Sequence, residues 1–494
     1  MAHPLVLSID QGTTSTRAFV FDSAANVVAL AQKAFQQHFP QPGYVEHDAN
    51  EIWETVVETA SKAIAEAEAT GGQIVSIGIT NQRETVVAWD RETLEPVGPA
   101  IVWQDRRTSA LCRKLKDDGC EAIVQDRTGL LLDPYFSATK IAHILDSDQS
   151  LRSRAKDGKL AVGTIDSFLI ARLTGGTHVT DSTNASRTSL FNLANNAWDA
   201  DLLDMFNVPE ACLPKVQDNI ATFGDVLPNL FDRSIPIYAS IGDQQSAAVG
   251  QACFGTGDVK STYGTGCFLL AQTGDTLVRS KNRLLTTVSR RIDGKTSYAI
   301  EGSIFIAGAA VQWLRDALST IDEAAESERV AESLDDSGGV FFVPAFAGLG
   351  APYWDPDARG AILGLTRGTG REQIIRAALE SVAFQTRDLI EAVESDGVKI
   401  SSLKVDGGMV ANDWLMQYLA NILDTRVDRP VLLETTALGA ALLAGIGAGV
   451  YESVLDAAEA RRTDRVFESD MSQQQRVSLL NGWRDAVGRV RTNA

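Results

Sequence analysis

The residues of this chain best suited to chemistry begin near its amino end, in the segment SIDQGTTSTR at positions 8–17. Apolar runs at 5–9 and 18–21 flank a tight turn, which predicts a β-hairpin whose tip is rich in hydroxyl groups. The backbone N–H groups and hydroxyls of such a tip can bind one phosphate without a P-loop. Asp10 ends the first strand, where a carboxylate can hold Mg²⁺ directly or through water. The alternative is an ordinary hairpin whose Ser and Thr side chains satisfy their own turn.

Three further polar clusters each come directly after a predicted strand. They are Asn81 to Glu84, Trp103 to Arg107 and Gly242 to Gln245. In open α/β sheets, ligands bind beyond the carboxyl ends of the strands, so we expect these clusters to share one site. Arg83 and Glu84 supply donors and acceptors for vicinal hydroxyl groups. Trp103 offers an apolar wall, and Asp243 offers a carboxylate that can accept a proton.

The alternative for these clusters is a set of surface loops with ordinary ion pairs. We keep that interpretation for Arg106 and Arg107 and expect both at the surface. Asp243 follows the apolar run at 236–241, and we expect its neighbours to bury it. For this carboxylate we therefore prefer the functional interpretation.

Two glycine-rich segments further along the chain could also contact a nucleotide. They are YGTGC at 263–267 and VDGGMVAN at 405–412. Glycine lets the backbone approach a ring or a phosphate closely, although a tight turn is the alternative for each segment. The sequence contains no Walker A motif, protein-kinase catalytic motifs or strand-linked GxGxxG, so P-loop, protein-kinase and dinucleotide-binding folds are excluded.

Length and composition indicate a globular enzyme of two or more domains. The chain has 494 residues, of which 44% are hydrophobic and 22% charged, and its net charge is −19. This charge argues against nucleic-acid binding, because counterion release needs clustered Lys and Arg. Five widely spaced cysteines, with no CxxC and no signal peptide, predict reduced thiols in the cytosol. The apolar run at 437–450 is too short to span a bilayer and predicts a buried helix.

Strand-like runs alternate with helical patterns along the chain, which predicts an α/β fold. Buried strands are predicted at 74–79, 236–241 and 340–343. Apolar spacing predicts helices over 51–67 and 371–393, the first of them with Asn50 as its N-cap.

A domain boundary is expected near the small-residue segment 250–257. A new strand–turn–strand begins at Val259, and its Gly/Thr-rich turn is similar to the turn of the first hairpin. This weak internal repeat predicts two domains of related plan, at 1–252 and 253–494. Each domain would present a phosphate-facing turn to a shared cleft.

From about residue 4 to about residue 460, the sequence resembles the FGGY family of carbohydrate kinases. The segments that carry the resemblance are DQGTTS at 10–15, NQRET at 81–85, VWQDRR at 102–107, GDQQ at 242–245, STYGTG at 261–266, AGA at 307–309, QWL at 312–314 and DGG at 406–408. The resemblance implies two ribonuclease H-like domains, of the type found in actin, hexokinase and Hsp70, flanking a deep cleft. The segments QRE at 82–84 and WQD at 103–105 are those of members that phosphorylate glycerol rather than a pentulose.

The same resemblance implies roles for individual residues. The polyol site would comprise Arg83, Glu84, Trp103, Tyr135, Asp243, Gln244 and Phe268. The nucleotide site would comprise Thr13, Thr14, Ser15, Arg17, Thr265, Gly308, Gln312, Gly408 and Asn412. Asp10 would anchor Mg²⁺, Arg17 would hold the transferring phosphoryl group, and Asp243 would act as the base.

The resemblance thus implies ATP-dependent phosphorylation of glycerol to sn-glycerol 3-phosphate, with ATP and Mg²⁺, by a dimer or tetramer. Two other functions stay open. One is a kinase of the same fold that acts on erythritol or another small polyol. The other is a nucleotide switch of the actin or Hsp70 type, which would bind ATP and proteins without turning over a polyol.

Overall fold

Two large mixed β-sheets form the framework of the molecule. The structure is a computed structural model that describes residues 3–492. The strands, in chain order, are β1 (His3–Gln11), β2 (Ser15–Phe21), β3 (Val27–Ala34), β4 (Gln37–His38), β5 (Glu46–His47), β6 (Gly72–Asn81), β7 (Val86–Asp90), β8 (Ala100–Ile101), β9 (Leu160–Thr164), β10 (Val179–Asp181), β11 (Phe191–Asn192), β12 (Ala197–Trp198), β13 (Lys215–Gln217), β14 (Ile220–Asp225), β15 (Pro236–Gly242), β16 (Asp258–Tyr263), β17 (Cys267–Gly274), β18 (Leu285–Ile292), β19 (Lys295–Ile304), β20 (Phe341–Val343), β21 (Ala361–Leu363), β22 (Ser402–Asp406), β23 (Val427–Pro430) and β24 (Thr463–Phe467).

Helices cover the faces of these sheets. In chain order they are α1 (Ala49–Glu68), α2 (Ser109–Asp117), α3 (Glu121–Thr128), α4 (Ser137–Ser147), α5 (Gln149–Lys156), α6 (Ile165–Thr174), α7 (Ser182–Ala185), α8 (Ala200–Met205), α9 (Pro228–Phe231), α10 (Asp243–Gly250), α11 (Gly308–Asp316), α12 (Glu326–Glu332), α13 (Arg371–Ser395), α14 (Asp413–Leu423), α15 (Thr435–Gly447), α16 (Val454–Ala458) and α17 (Gln473–Val490). Short 3₁₀ turns lie at Glu210–Cys212 and Gly408–Ala411.

The two large sheets share one plan. The N-terminal sheet has the order β14-β15-β6-β1-β2-β3, and the C-terminal sheet has the order β18-β19-β17-β16-β22-β23-β24. In the first, β1, β2 and β3 are antiparallel neighbours, while β6 and β15 continue parallel to β1. In the second, β16, β17 and β19 are the antiparallel neighbours, while β22 and β23 continue parallel to β16. The α/β fold of two related domains is therefore confirmed, and the two predicted hairpins occupy equivalent places in it.

Helix α1 covers the antiparallel part of the N-terminal sheet. Its apolar residues recur every three or four positions and are buried against that sheet's core. The predicted N-cap, Asn50, is wrong, because Asn50 already lies within the first helical turn. Asp48 is the N-cap instead: its backbone is extended, and its carboxylate accepts from the N–H groups of Asn50 and Glu51 at 2.8 and 3.4 Å.

Helix α15 contains most of the apolar run at 437–450 and is buried, as predicted. It packs against β1, β6 and β15 of the N-terminal sheet and crosses α10 closely. A Cβ atom on Gly439 would lie 1.8 Å from the Ser246 carbonyl oxygen, and one on Gly250 would lie 2.1 Å from that of Thr435. Glycine at these positions allows the two backbones to touch. The division of the chain at 252/253 stays a prediction.

No helix among residues 3–492 is long and apolar enough to cross a membrane. All five cysteines fall within this range and are free thiols, four of them buried. Burial raises the pKa of Cys267 and Cys253 to about 12, which keeps both thiols protonated.

Candidate functional site

The site begins where two parallel strands of the N-terminal sheet end side by side. Asn81 at the end of β6 is the register partner of Gly242 at the end of β15. The loop after β6 carries Arg83, and α10 begins at Asp243 directly after β15. The Arg83 Nε atom lies 3.1 Å from the Asp243 Oδ1 atom. The strand-end argument therefore places these two predicted residues in contact, as expected.

Glycine at position 242 is needed for this contact, because a Cβ atom there would lie 2.8 Å from the Arg83 Cδ atom. The expectation that Asp243 is buried is wrong, since 31% of its side chain is exposed. It stands at the open N-terminal end of α10, where the Gln244 N–H group donates to its Oδ1 atom at 2.6 Å. A carboxylate at a helix N-terminus is favoured by the helix dipole and stays within reach of a ligand.

Behind this pair lies a buried cluster of four charges: Arg83, Glu84, Arg187 and Glu301. Glu301 accepts from Arg83 at 2.6 Å and from Arg187 at 2.8 Å, and Arg187 Nε also donates to Glu84 at 2.6 Å. Burial by itself would raise the pKa of Glu301, yet the two guanidinium groups lower it to about 2. Burial raises the pKa of Glu84, against the opposing effect of Arg187 and Arg83.

An aromatic wall stands beside these charges. The Trp103 ring packs edge-to-face against Tyr135, with centroids 5.6 Å apart, and against Phe268 from the C-terminal sheet at 6.4 Å. The Trp103 Nε1 atom donates to the Thr13 hydroxyl at 3.0 Å, which joins the wall to the first hairpin. Burial raises the pKa of Tyr135, so its hydroxyl stays protonated and can donate or accept. The contacts described so far therefore bring most of the predicted polyol residues to one polar and aromatic site.

The first hairpin presents its tip close to the same residues. Gly12 N–H donates to the Ser15 carbonyl at 3.0 Å and closes the turn. Burial raises the pKa of Asp10 to about 7, and the nearby carboxylates of Asp243 and Glu434 add to this effect while Arg17 opposes it. Arg17 is the positively charged residue among these neighbours of Asp10, and its guanidinium pairs with the Glu434 carboxylate at 2.6 Å.

This excess of carboxylates around Asp10 fits a divalent cation. Asp10 is a hard oxygen donor, and a cation beside it would stabilise the charged carboxylate against its burial and against the nearby carboxylates of Asp243 and Glu434. Among residues 3–492, no group of three or more His, Cys, Asp or Glu side chains is arranged to hold a metal ion by itself. Mg²⁺ is commonly bound by one or two carboxylates together with phosphate oxygens and water, and this donor set suits that pattern.

The second group of predicted residues lies in the C-terminal sheet. The Thr265 carbonyl accepts from Ala307 and Ala309 N–H at 3.0 Å each, and the Gly264 carbonyl accepts from Gly308 N–H at 3.0 Å. The 264–266 turn therefore sits on the first turn of α11. A Cβ atom on Gly308 would lie 2.6 Å from the Gly264 carbonyl oxygen, so the close approach requires glycine there.

The 405–412 segment follows β22 as predicted. Gly407 has φ of +92°, and a Cβ atom on it would lie 2.5 Å from the Tyr263 carbonyl oxygen. Gly408 is exposed with open space on its Cβ side. Asn412 caps α14 by accepting from Leu415 N–H at 2.7 Å, and Gln312 is exposed on α11, one turn beyond Gly308.

The structure also contains site residues that were not predicted. Arg187 and Glu301 complete the buried charge cluster, Glu434 pairs with Arg17, and the buried Lys260 donates to the Gln244 side chain at 2.6 Å. A signal for Glu301 was available, because it is the one charge in the apolar stretch YAIEG at 298–302. A charge that a strand buries must have a partner.

Of the two arginines expected at the surface, one is there and one is not. Arg106 is exposed and pairs with Asp133 at 2.6 Å, as predicted. The prediction for Arg107 is wrong: only 6% of its side chain is exposed, and it pairs with Asp105 and Glu46 at 2.8 and 2.7 Å. Its guanidinium also lies over the Tyr44 ring, 4.0 Å from the centroid. The two carboxylates and the tyrosine ring replace the water that would surround this side chain in an exposed loop.

The two sheets of one plan, each with a glycine- and threonine-rich turn, fit the two-domain architecture that the sequence resemblance implies. The model of the FGGY family of carbohydrate kinases, N-terminal domain, matches residues 5–250, and that of the C-terminal domain matches residues 259–448. The chain belongs to the FGGY family of carbohydrate kinases.

Individual relatives resemble the chain over nearly their whole length. A glycerol kinase of Rhodospirillum centenum is 56% identical, with 99% of each chain covered, and a glycerol kinase of Rhizobium rhizogenes is 58% identical, with 98% of each covered. A crystal structure of Plasmodium falciparum glycerol kinase with ADP has a TM-score of 0.96 and 38% identity, covering 99% of this chain and 98% of that one.

Proposed function

We propose that the protein transfers a phosphoryl group from ATP to glycerol, forming sn-glycerol 3-phosphate and ADP. The glycerol kinases that it resembles support this proposal. The observation that carries it is the Arg83–Asp243 contact of 3.1 Å, together with the aromatic wall of Trp103 and Tyr135. The Tyr135 ring of this wall lies 5.8 Å from the Arg187 guanidinium of the charge cluster behind that contact. Together these groups offer a carboxylate, a guanidinium and an apolar wall, which suit a short chain bearing adjacent hydroxyls.

The roles of the polyol residues follow from their chemistry. Arg83, Glu84 and Tyr135 would orient glycerol through its hydroxyls, and Trp103 would pack on its carbon chain. Gln244, held by Lys260, would add a polar contact at the same side. The Asp243 carboxylate would accept the proton of the attacking hydroxyl as the new P–O bond forms and ADP leaves.

The roles of the nucleotide residues are those that the resemblance to the FGGY family implies. Thr13, Thr14, Ser15 and Arg17 would hold the transferring phosphoryl group, and Thr265 and Gly308 the neighbouring phosphates. Gln312, Gly408 and Asn412 would line the adenosine site. Asp10 would hold Mg²⁺, which neutralises phosphate charge when bound.

The proposal also covers the setting of the enzyme. The five free thiols support a reducing compartment, the cytoplasm. The net charge of −19 argues against a nucleic-acid partner. We propose a dimer or tetramer, which light scattering of the purified protein tests. Polyol binding and the phosphate-binding hairpin are assigned to residues 1–252, and nucleotide binding to residues 253–494.

A polyol panel with ATP and Mg²⁺ tests the proposed reaction. We expect ADP release to depend on polyol, with the highest kcat/KM for glycerol among glycerol, erythritol, xylulose and ribulose. Equal or higher kcat/KM for xylulose or ribulose contradicts the substrate assignment, and a preference for erythritol moves it to that polyol. ATP binding without polyol-dependent ADP release would instead indicate a nucleotide switch.

A further inference from the structure

The buried charge cluster behind the polyol site joins the two sheets of the molecule. Arg83, Glu84 and Arg187 come from the N-terminal half, whereas Glu301 lies in β19 of the C-terminal sheet. All four side chains are at most 2% exposed. Glu301 is the member that contacts both arginines, one with each carboxylate oxygen.

Burying four charges costs solvation free energy that well-packed apolar residues would not cost. The cluster compensates by charge balance, since two guanidinium groups face two carboxylates. It also fixes geometry, because a guanidinium presents its N–H groups in a rigid plane. Once Glu301 holds the NH1 atom of Arg83, the Nε atom of the same plane faces Asp243 at 3.1 Å.

Glu84 is oriented by the same arrangement. Arg187 donates through Nε to Glu84 and through NH2 to Glu301. Its guanidinium also lies 5.8 Å from the Tyr135 ring centroid, next to a third predicted polyol residue. One carboxylate from the C-terminal sheet thus sets the positions of Arg83 directly and of Glu84 through Arg187.

We propose that Glu301 is a positioning residue of the polyol site, acting on Arg83 and, through Arg187, on Glu84. This inference rests on the proposed function, since it assigns polyol binding to those two residues. Glu301 touches neither the reacting hydroxyl nor the phosphoryl group in this role. Its removal leaves Arg83 without its 2.6 Å partner and free to turn fully onto Asp243. The polyol then loses an oriented hydrogen-bond donor, and it has to compete with Asp243 for the Arg83 guanidinium.

The test is steady-state kinetics of Glu301→Gln. We expect KM for glycerol to rise at least tenfold, while KM for ATP stays within twofold of the wild type. Glutamine keeps the size of the side chain and one acceptor, but its amide N–H₂ cannot accept from the second guanidinium. Calorimetric titration with glycerol should show the same weakening without any turnover.

Glu380→Gln is the matched control. Glu380 is also a buried carboxylate of the C-terminal half, paired with Arg376 at 2.9 Å within α13 and outside the polyol site. Both variants should lower the melting temperature, but Glu380→Gln should leave KM for glycerol within twofold. If Glu301→Gln lowers the melting temperature and also leaves that KM within twofold, Glu301 is merely structural and the proposal is overturned.

Glu301→Asp keeps the test decisive should the glutamine variant fail to fold. Aspartate retains the charge, but its shorter side chain cannot span both guanidinium groups. We expect a rise in KM for glycerol of severalfold with KM for ATP unchanged; an unchanged KM for glycerol overturns the proposal. Failure of the proposed function is seen separately, in the wild-type polyol panel. If another polyol is preferred there, the same comparison of KM values is made with that polyol.

Discussion

Asp243 has the properties that a base for an alcohol needs. About a third of its side chain is exposed, so a ligand can reach it, and the Gln244 N–H group and Arg83 hold its Oδ1 atom in place. Among residues 3–492, no hydrogen bond or ion pair is seen to the second carboxylate oxygen, Oδ2. We therefore infer that this oxygen receives the proton of the attacking hydroxyl.

Replacing Asp243 with asparagine should lower kcat by a factor on the order of 10²–10⁴, the usual contribution of a general base. The amide keeps the shape of the side chain but cannot take the proton. ATP affinity, measured by calorimetry, should change little. The control is Asp225→Asn, an exposed carboxylate at the end of β14 in the same sheet, which should leave kcat unchanged. Near wild-type turnover by Asp243→Asn would remove this residue from the role of base.

Site residues such as Asp243 can be found from the sequence because the carboxyl ends of parallel strands lie at the same edge of a sheet. Arg83 and Asp243 follow adjacent parallel strands, so their proximity could be inferred without coordinates. Glu301 could not be placed in the same way, since its partners Arg83 and Arg187 lie in loops of the N-terminal half, far away in sequence. Arg107 was wrongly expected at the surface because it belongs to a polar cluster. Its charge is buried, since nearby carboxylates and a tyrosine ring replace the water around it.

At the scale of single elements, the start of α1 provides a direct test of local structure. Asp48→Ala removes the side chain that accepts from Asn50 and Glu51 N–H, and should lower the free energy of unfolding by about 0.5–2 kcal/mol. Asn50→Ala, two residues later, should have a smaller effect, since alanine is a good helix former inside the first turn. Chemical denaturation of both variants measures this difference. Equal losses would contradict the assignment of Asp48 as the cap.

The elements themselves were largely predictable. Long periodic segments such as 51–67 and 371–393 determine their helices, because the apolar face must be buried wherever the helix packs. The ends were less predictable. Asp48 and Asn50 are both residue types that make good N-caps, and it is the extended backbone of Asp48 and the hydrogen bonds its carboxylate accepts that distinguish them.

At the scale of the whole molecule, the crossing of α10 and α15 is the contact that joins the two halves most closely. Gly439→Ala would place a Cβ atom 1.8 Å from the Ser246 carbonyl oxygen, so the helices would have to separate. We expect a loss of stability on the order of 1–3 kcal/mol, typical of overpacking. Turnover should fall as well, because Asp243 is the first residue of α10.

Gly488→Ala is the control for this glycine change. Gly488 lies in α17 and is exposed, and a Cβ atom there meets nothing within 4 Å. Alanine should therefore stabilise that helix by about 0.5–1 kcal/mol and leave turnover unchanged. Thermal unfolding measures the stability of both variants, and a coupled ADP assay measures their turnover. A Gly439→Ala protein as stable and active as the wild type would contradict the prediction, because it would show that the two helices can separate without loss.

The relation between the two halves was only partly readable from the sequence. The repeated strand–turn–strand indicated two sheets of one plan, because each turn is marked by glycine and threonine. The run at 437–450 indicated a buried helix but not the sheet that buries it. Since α15 packs on the N-terminal sheet, its position depends on long-range packing that local periodicity does not encode.

A crystal structure with glycerol and a non-hydrolysable ATP analogue tests the central claim most directly. We predict one primary hydroxyl within hydrogen-bonding distance of an Asp243 carboxylate oxygen, about 3 Å, and facing the γ-phosphorus, with the other hydroxyls on Arg83 and Glu84. Glycerol bound away from Arg83 and Asp243, or with every hydroxyl turned away from the γ-phosphate, would contradict the account.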